Sequence, residues 1–262
     1  RAPVVVIGAG AAGLVAAFFA RSGGRRVTVL EKTTDGGRKI LISGGGRCNV
    51  LPSVPAPERF VSEASPALVR TVLNAWPLRE QHGYFEDVLG VPLALEADSG
   101  KVFPASNRAR DVRDALVARA RTLGVTLRVS TAVTAVVPDG DTWRVATDRG
   151  DIAADRVIVA TGGLSVPTTG STGFGFDVAL AAGHTVHPRY AALTPLTAET
   201  HPQAALAGIS LDVDIEATSD RECARSHGGF LFTHRGYSGP AVLDISHVAV
   251  RSLDAGHARA AV

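Results

Sequence analysis

Three glycines and one acid near the N-terminus have the spacing of a dinucleotide-binding site. Gly8, Gly10 and Gly13 follow one apolar run, and Glu31 ends a second apolar run 18 residues after Gly13. In this arrangement the first glycine permits a tight turn, the second lets the backbone approach a pyrophosphate, and the third lets a helix pack closely on a strand. The acid can accept hydrogen bonds from ribose hydroxyls and would repel a ribose phosphate. These residues predict that the chain binds a dinucleotide.

The elements around the glycines must form a strand, a helix and a second strand. Residues 4–7 and 27–30 are apolar and typical of buried strands, and the stretch after Gly13 is rich in alanine, as in a helix. The pyrophosphate would then lie on the free N–H groups at the positive end of that helix. The alternative is an ordinary βαβ crossover without a ligand, because glycine triplets arise by chance in a chain with 28 glycines.

Composition limits the other function classes. The 262 residues, 45% hydrophobic and 20% charged, can form one large or two small globular domains. A net charge of +2 and an aromatic content of 5% predict no nucleic-acid partner. No apolar run reaches the roughly 18 residues needed to span a bilayer, so we expect no membrane partner and a cytoplasmic location. Cys48 and Cys223 lack metal-ligand spacing and fit a reducing compartment.

The remaining pattern alternates between helical and strand periodicity. A basic, glycine-rich segment over 36–49 is too rich in glycine for a regular element. The pattern then predicts a helical region ending at Trp76, a short edge strand at 101–104, a helix over 109–123, strands at 126–129, 132–137 and 143–147 with a hairpin turn at 138–141, a buried strand at 155–159 and a helix over 176–182. Beyond Pro195, polar alternating strands such as 211–215 and 230–232 precede an apolar helix after Pro240, which places a domain boundary near residue 196.

This order of elements is typical of glutathione-reductase-like flavoproteins. It predicts an α/β chain with a Rossmann-like FAD-binding domain over 1–195, built on a central parallel sheet with a β-meander, and the start of a β-rich inserted domain over 196–262. The chain resembles the YhiN/BaiN-like NAD(P)/FAD-dependent oxidoreductases, also described as aminoacetone-oxidase-family FAD-binding enzymes. The segments that carry the resemblance are GAGAAGL (8–14), GRKILISGGGRCN (37–49), KVFPASNRARDV (101–112), ATGGLSVPTTGSTGFG (160–175) and LFTHRGYSGPA (231–241).

The resemblance implies a cofactor, an electron donor and a set of binding residues. The cofactor would be FAD, the donor NAD(P)H, and the substrate an unsaturated or amine-bearing small molecule. The residues implied in cofactor binding are Gly8, Ala9, Gly10, Ala12, Gly13, Glu31, Lys32, Arg38, Lys39, Ser43, Gly46, Arg47, Cys48, Val133, Thr161, Gly162 and Gly163. The oligomeric state stays open.

Individual roles follow from the same resemblance. Val133 would meet the adenine through its backbone, and Gly162 and Gly163 would close over the cofactor. The segment 37–49 would follow the ribityl chain toward the flavin ring, so that its cations stabilise the anionic reduced ring. A solvated basic turn is the alternative for this segment.

Catalytic residues are less clearly indicated. We consider Arg47 and His234, because a cation can stabilise the reduced ring and a histidine between turn-forming residues can act as a general acid or base. His234 could equally be a structural residue that caps the helix following Ser238. Cys48 has no second cysteine nearby, so we expect a packed side chain and no disulfide-reductase chemistry. The H-x-x-H pair at residues 184 and 187 lacks a third ligand and is expected on the surface.

Two departures and two alternatives qualify the resemblance. Phe174 stands where the family usually has an acid, and Gly228-Gly229 stands where it usually has Gly-Glu. Family members continue well past the length of this chain, so we expect a fragment, or a cofactor site without its closing half. A fumarate-reductase or aspartate-oxidase-like flavoprotein, or a non-catalytic FAD-binding remnant, would also fit these motifs.

Overall fold

Strands and helices alternate along most of the chain. The computed structural model describes residues 3–62, 64–198, 200–220 and 222–254. In chain order these residues form β1 (Val4–Ile7), α1 (Ala11–Ser22), β2 (Val27–Leu30), α2 (Arg38–Ile42), β3 (Leu51–Pro52), α3 (Pro66–Ala75), α4 (Leu78–Gly83), β4 (Leu93–Glu96), β5 (Lys101–Pro104), α5 (Ala109–Thr122), β6 (Thr126–Arg128), β7 (Val133–Asp139), β8 (Thr142–Thr147), β9 (Ile152–Ala154), β10 (Arg156–Val159), α6 (Phe174–Ala181), β11 (Leu196–Thr197), β12 (Ser210–Thr218), β13 (Cys223–Thr233), β14 (Gly236–Ser238) and α7 (Pro240–Asp254).

A parallel sheet with the strand order β10-β1-β2-β6 forms the centre of the first unit, which extends to Val186. Of its central strands, β1 is apolar and fully buried, and β2 is buried except at Thr28, as expected for a sheet covered on both faces. Leu14, Val112 and Leu116, from α1 and α5, belong to the core that covers one set of strand residues. Residues of the β7-β8-β9 meander, including Val145, pack against the other set. The predicted Rossmann-type fold with a parallel sheet is confirmed.

A three-stranded antiparallel sheet corrects one prediction. Residues 101–104 were predicted as an edge strand, but β5 is the middle strand of the order β3-β5-β4. Val102 and Phe103, on this middle strand, are both buried. The prediction was wrong because the two flanking strands are too short to produce a clear periodicity.

The glycine-rich segment over 36–49 also differs from its prediction. It contains the short helix α2 and a 3₁₀ turn over Ser43–Gly46, although no regular element was expected there. Ile40 is buried in the main core and holds α2 against α5. Gly44 and Gly45 adopt positive φ angles, so the glycines shape the 3₁₀ turn instead of preventing structure.

The second unit begins at His187 and contains the antiparallel sheet β11-β14-β13-β12 with helix α7. Ile245 and Val248 of α7 pack with Ala217 of β12 in a small core. The predicted strands at 211–215 and 230–232 lie within β12 and β13, and the predicted apolar helix is α7. The predicted boundary near residue 196 lies nine residues after the start of this unit, where β11 begins. Among the described residues, no helix is long and apolar enough to cross a membrane.

The N-terminus of α1 is packed too closely on the preceding turn to admit a side chain at Gly13. A Cβ added there would lie 1.9 Å from the carbonyl oxygen of Gly8. That distance is far below any van der Waals contact, so the helix can lie beside the turn only because position 13 is glycine. The predicted packing role of Gly13 therefore has a direct steric basis.

We expect Gly13→Ala to destabilise the first unit. Forcing a methyl group into this packed site should lower the free energy of unfolding by about 1–3 kcal/mol or more. Gly10→Ala is the matched control, because its added Cβ would meet no atom within 4 Å and its φ is −74°. Urea denaturation of both variants measures the difference. Equal midpoints for Gly13→Ala and wild type would contradict the steric argument.

Candidate functional site

A sharp turn at Gly8 connects the carboxyl-terminal end of β1, a central strand of the parallel sheet, to α1. Gly8 has a φ of 103°, and its N–H donates a hydrogen bond to the Leu30 carbonyl over 2.8 Å. A Cβ at Gly8 would lie 2.5 Å from the carbonyl oxygen of Ala160, which follows β10. The turn therefore depends on glycine both for its backbone conformation and for its contact with the neighbouring strand.

Gly10 and the first turn of α1 face a large cavity. No side chain caps the helix at Gly10, and its first turn contains no acidic residue. Gly10, Ala11 and Ala12 all line the cavity. The amide N–H groups and the positive dipole end of α1 are thus available to an anionic ligand, which is the arrangement that binds pyrophosphates.

The cavity has a volume of about 660 Å³ and lies within the first unit. It is formed by chain segments that are distant in sequence. Its lining residues are Ile7, Gly8, Gly10, Ala11, Ala12, Val15, Leu30, Glu31, Lys32, Thr33, Gly37, Arg38, Lys39, Ile40, Ser43, Cys48, Asn49, Val50, Phe85, Val112, Leu116, Thr131, Ala132, Val133, Ala160, Thr161, Gly162, Thr169, Gly170, Ser171, Thr172 and Phe174. Its volume falls in the range of small-molecule and cofactor sites.

The Glu31 carboxylate connects the glycine turn to the end of β2. Its Oε2 accepts a hydrogen bond from the Ala9 N–H over 2.9 Å. Its Oε1 accepts from the Thr33 N–H over 2.9 Å and from the Thr33 hydroxyl over 2.7 Å. A carboxylate offers about four acceptor positions, so these three bonds leave room for one further donor, such as a ribose hydroxyl. Glu31 therefore organises the protein as well as facing the ligand space.

Lys32 and Lys39 contact the segment over 165–172, which is distant from them in sequence. The Lys39 Nζ donates to the Ser165 carbonyl over 2.7 Å and to the Ser171 hydroxyl over 2.8 Å. The Lys32 Nζ donates to the Thr172 hydroxyl over 3.1 Å. These contacts bring together two regions separated by more than a hundred residues. Ser171 and Thr172 line the cavity and were not singled out from the sequence as binding residues.

The arginines of the basic segment have partners within the protein. The Arg38 Nε donates to the Asp35 carboxylate over 2.6 Å, and Arg38 still lines the cavity. The Arg47 guanidinium pairs with Glu96 over 2.8 Å and lies over the Phe103 ring at 4.1 Å from its centroid. Arg47 is not among the cavity-lining residues, and its position beside the flavin ring stays a prediction.

Cys48 is buried and lines the cavity. Its backbone has a φ of 65°, which is uncommon for a residue other than glycine. Burial raises the pKa of the Cys48 thiol, against a smaller opposing effect of a hydrogen bond with Ser43. The thiol is therefore protonated at neutral pH. Cys223, by contrast, is exposed on β13.

Most of the residues predicted to bind the cofactor meet at this cavity. Those that line it are Gly8, Gly10, Ala12, Glu31, Lys32, Arg38, Lys39, Ser43, Cys48, Val133, Thr161 and Gly162. Ala9, Gly13, Gly46, Arg47 and Gly163 do not line it. Ala9 differs because its N–H is bonded to Glu31, and Gly13 because it packs on the Gly8 carbonyl. The apolar residues Val112 and Leu116 were missed because their helical periodicity indicated only a packed core, and Phe85 was missed because it lies outside every predicted element.

The three histidines singled out from the sequence do not share this environment. His234 is exposed in the two-residue turn between β13 and β14, in the second unit. It lies six residues before α7 begins, so it does not cap that helix as the structural alternative assumed. His184 and His187 are both exposed. A general acid or base role for His234 stays a prediction.

The sheet order, the glycine turn and the acid at the end of β2 define a Rossmann-type dinucleotide-binding domain. The chain matches the family described as "HI0933-like protein Rossmann domain" over residues 2–236 and belongs to that family. The prediction that it is a member of the YhiN/BaiN-like FAD-binding family is thereby confirmed.

Two curated relatives are similar over almost the whole chain. The chain is 33% identical to the "Ribosomal RNA dihydrouridine synthase" of Escherichia coli K12, over 94% of this chain and 60% of the relative. It is also 33% identical to the "3-dehydro-bile acid delta(4,6)-reductase" of Clostridium scindens, over 93% of this chain and 60% of the relative. The chain thus spans about 60% of the length of these relatives.

Similarity to solved structures is lower. A 3-ketosteroid-delta4-(5alpha)-dehydrogenase from Rhodococcus jostii RHA1 is 20% identical, with a TM-score of 0.46. The alignment covers 62% of this chain and 46% of the dehydrogenase.

We expect Glu31→Gln to reduce stability even without a ligand. The amide nitrogen cannot accept a hydrogen bond, so either Ala9 or Thr33 loses its acceptor, at a cost of about 1–3 kcal/mol. Urea denaturation of the ligand-free protein measures the loss. Glu58→Gln is the control, because Glu58 is exposed. An unchanged midpoint for Glu31→Gln would mean that the carboxylate does not support the turn.

The two cysteines should differ in reactivity. Because burial raises the pKa of the Cys48 thiol, iodoacetamide at pH 8 should alkylate Cys223 well before Cys48. The Cys48 rate should rise with pH as its thiolate forms. Mass spectrometry of Cys48→Ser and Cys223→Ser separates the two rates. Faster alkylation of Cys48 than of Cys223 would contradict its burial in the cavity wall.

Proposed function

We propose that this chain binds FAD in the cavity and acts as a flavin-dependent oxidoreductase. The observation that supports this most directly is the surface in front of Gly10. An added Cβ at Gly10 would meet no atom within 4 Å, while Gly10 itself lines the cavity. A side chain at this position would therefore occupy ligand space, and its absence fits the approach of a pyrophosphate to the backbone.

The residues present fit FAD at several positions. The N-terminus of α1 suits the pyrophosphate, and Glu31 keeps one acceptor position for the adenosine ribose. Thr131 and Val133 line the cavity beyond Glu31, in the segment expected to meet the adenine. When bound, FAD would supply a ring that accepts and returns a hydride.

The chain's own residues would position the ligand and limit the access of water. Apolar side chains from α1, α5 and the segment around Cys48 form much of the cavity wall, including Val15, Val50, Val112 and Leu116. A largely apolar wall strengthens electrostatic interactions inside the cavity. The Cys48 Sγ carries its proton there, because burial raises the pKa of the thiol.

The names of the two relatives support a narrower reaction class. A dihydrouridine synthase and a delta(4,6)-reductase both saturate a carbon–carbon double bond. We infer that this chain takes part in the same class of reaction, with NAD(P)H as the electron donor. The donor would supply one hydride through the flavin, and an acid or water would supply the proton, so that the double bond is reduced as NAD(P)H becomes NAD(P)⁺. The E. coli relative's name also names an RNA, although the charge of this chain predicted no nucleic-acid partner.

Flavin binding and reduction test the proposal in two steps. Wild type should bind FAD, and Gly10→Val should abolish binding because its branched side chain enters the pyrophosphate space. Ala153→Val is the control, since Ala153 is exposed on β9, outside the cavity, where a branched side chain suits the strand. Unchanged FAD binding in Gly10→Val would refute the site.

The second step is anaerobic addition of NADH or NADPH to the FAD-loaded protein. Loss of the flavin absorption band should follow with at least one donor, and candidate enones or a uridine-containing RNA should restore it. A flavin that neither donor reduces would refute the oxidoreductase proposal while leaving FAD binding intact.

A further inference from the structure

The central sheet has an open edge at β6. In the strand order β10-β1-β2-β6, strand β6 pairs with β2 on one side, and no strand of the described residues pairs with its other side. The Arg128 carbonyl accepts from the Glu31 N–H, just after β2, over 2.9 Å. Because consecutive residues of a strand direct their backbone groups to opposite neighbours, Leu127 directs its N–H and carbonyl to the open side. A strand of another molecule could form hydrogen bonds there.

A second cavity, of about 390 Å³, lies beside this edge and is lined by α5, β6 and the segment over 34–36. It shares no lining residue with the cofactor cavity. Val117 of α5, Leu127 of β6 and Val129 form its apolar lining, and all three are only partly buried. The apolar layer between α5 and the sheet is therefore open to solvent at this edge. Apolar side chains of another molecule that entered the cavity would complete the layer.

The α5 side of this cavity carries one available charge of each sign. Asp114 pairs with Arg113 over 2.5 Å, but its side chain is still 57% exposed. Arg121 is exposed and has no carboxylate within ion-pair distance among the residues that the structure describes. Asp114 and Arg121 lie about two helical turns apart, with Val117 and Ala118 midway between them. Rotating a second α5 by half a turn about this midpoint would place each Asp114 opposite the other copy's Arg121.

The same two-fold axis suits β6. An antiparallel pair of β6 strands centred on Leu127 would exchange two N–H···O bonds between the two Leu127 residues. That register places each Thr126 opposite the other copy's Arg128, so that no two arginines of β6 face each other directly. Leu127 and Val117 line the same cavity, so one axis serves both the strand and the helix.

We infer that the edge formed by β6 and α5 is a dimer interface between two copies of this chain. The two β6 strands pair antiparallel, the two α5 helices lie side by side, and Asp114 of each copy pairs with Arg121 of the other. The occupant is a second copy because the charges complement one another only after a two-fold rotation, which is the symmetry of an isologous interface. The inference is independent of FAD binding, because the two cavities are lined by different residues.

Sedimentation of the full chain over a series of concentrations tests the interface. The wild type should form a reversible dimer. Arg121→Asp and Asp114→Arg should each weaken dimerisation by about a hundredfold or more, because the symmetry turns one substitution into two like-charge contacts. Arg149→Asp is the matched control. It makes the same charge change as Arg121→Asp at an exposed position between β8 and β9, outside both cavities, and should leave the dimer unchanged.

An equimolar mixture of Arg121→Asp and Asp114→Arg separates this interface from any other. Both contacts across the axis then join opposite charges again, so the mixture should dimerise although neither variant does so alone. Circular dichroism shows whether each variant is folded. If Asp114→Arg unfolds because Arg113 loses its partner, the comparison of Arg121→Asp with Arg149→Asp still decides the question. A monomeric wild type, a dimer that Arg121→Asp leaves intact, or a mixture of folded variants that stays monomeric would each overturn the inference.

Discussion

The close approach of α1 to the Gly8 turn is the constraint on which the rest of the site depends. A single methyl group at Gly13 would lie within 1.9 Å of the Gly8 carbonyl, and one at Gly8 within 2.5 Å of the Ala160 carbonyl. Only glycine at both positions lets the N-terminus of α1 lie this close to the ends of β1 and β10. The cavity, its free amide groups and the segment after β10 all follow from that one steric requirement.

The Glu31 carboxylate gives this turn its second support and connects stability to binding. It accepts hydrogen bonds from Ala9 in the turn and from Thr33 beyond β2. A dinucleotide that also bonded to Glu31 would bind only the folded turn and would therefore stabilise it. Lys32 and Lys39, which line the same cavity, bond to neutral oxygens of the segment over 165–172 and so hold that segment beside Glu31.

Local steric rules made the turn predictable from sequence, whereas long-range pairing did not. The spacing of Gly8, Gly10 and Gly13 has one structural solution between a strand and a helix, so its outcome could be stated in advance. Arg47 could not be placed, because its partner Glu96 is 49 residues away. The partners of Lys39 are 126 and 132 residues away, and nothing in the spacing of the basic segment indicates them. The middle position of β5 likewise depends on two short flanking strands.

Hydrogen–deuterium exchange with and without FAD tests the central claim most directly. If the dinucleotide occupies this cavity, exchange should slow in three segments that are distant in sequence, namely residues 8–14, 31–39 and 160–172. The amides of β12 and β13, in the second unit, serve as the internal reference and should not change. Slower exchange confined to other segments, with FAD bound, would contradict the account.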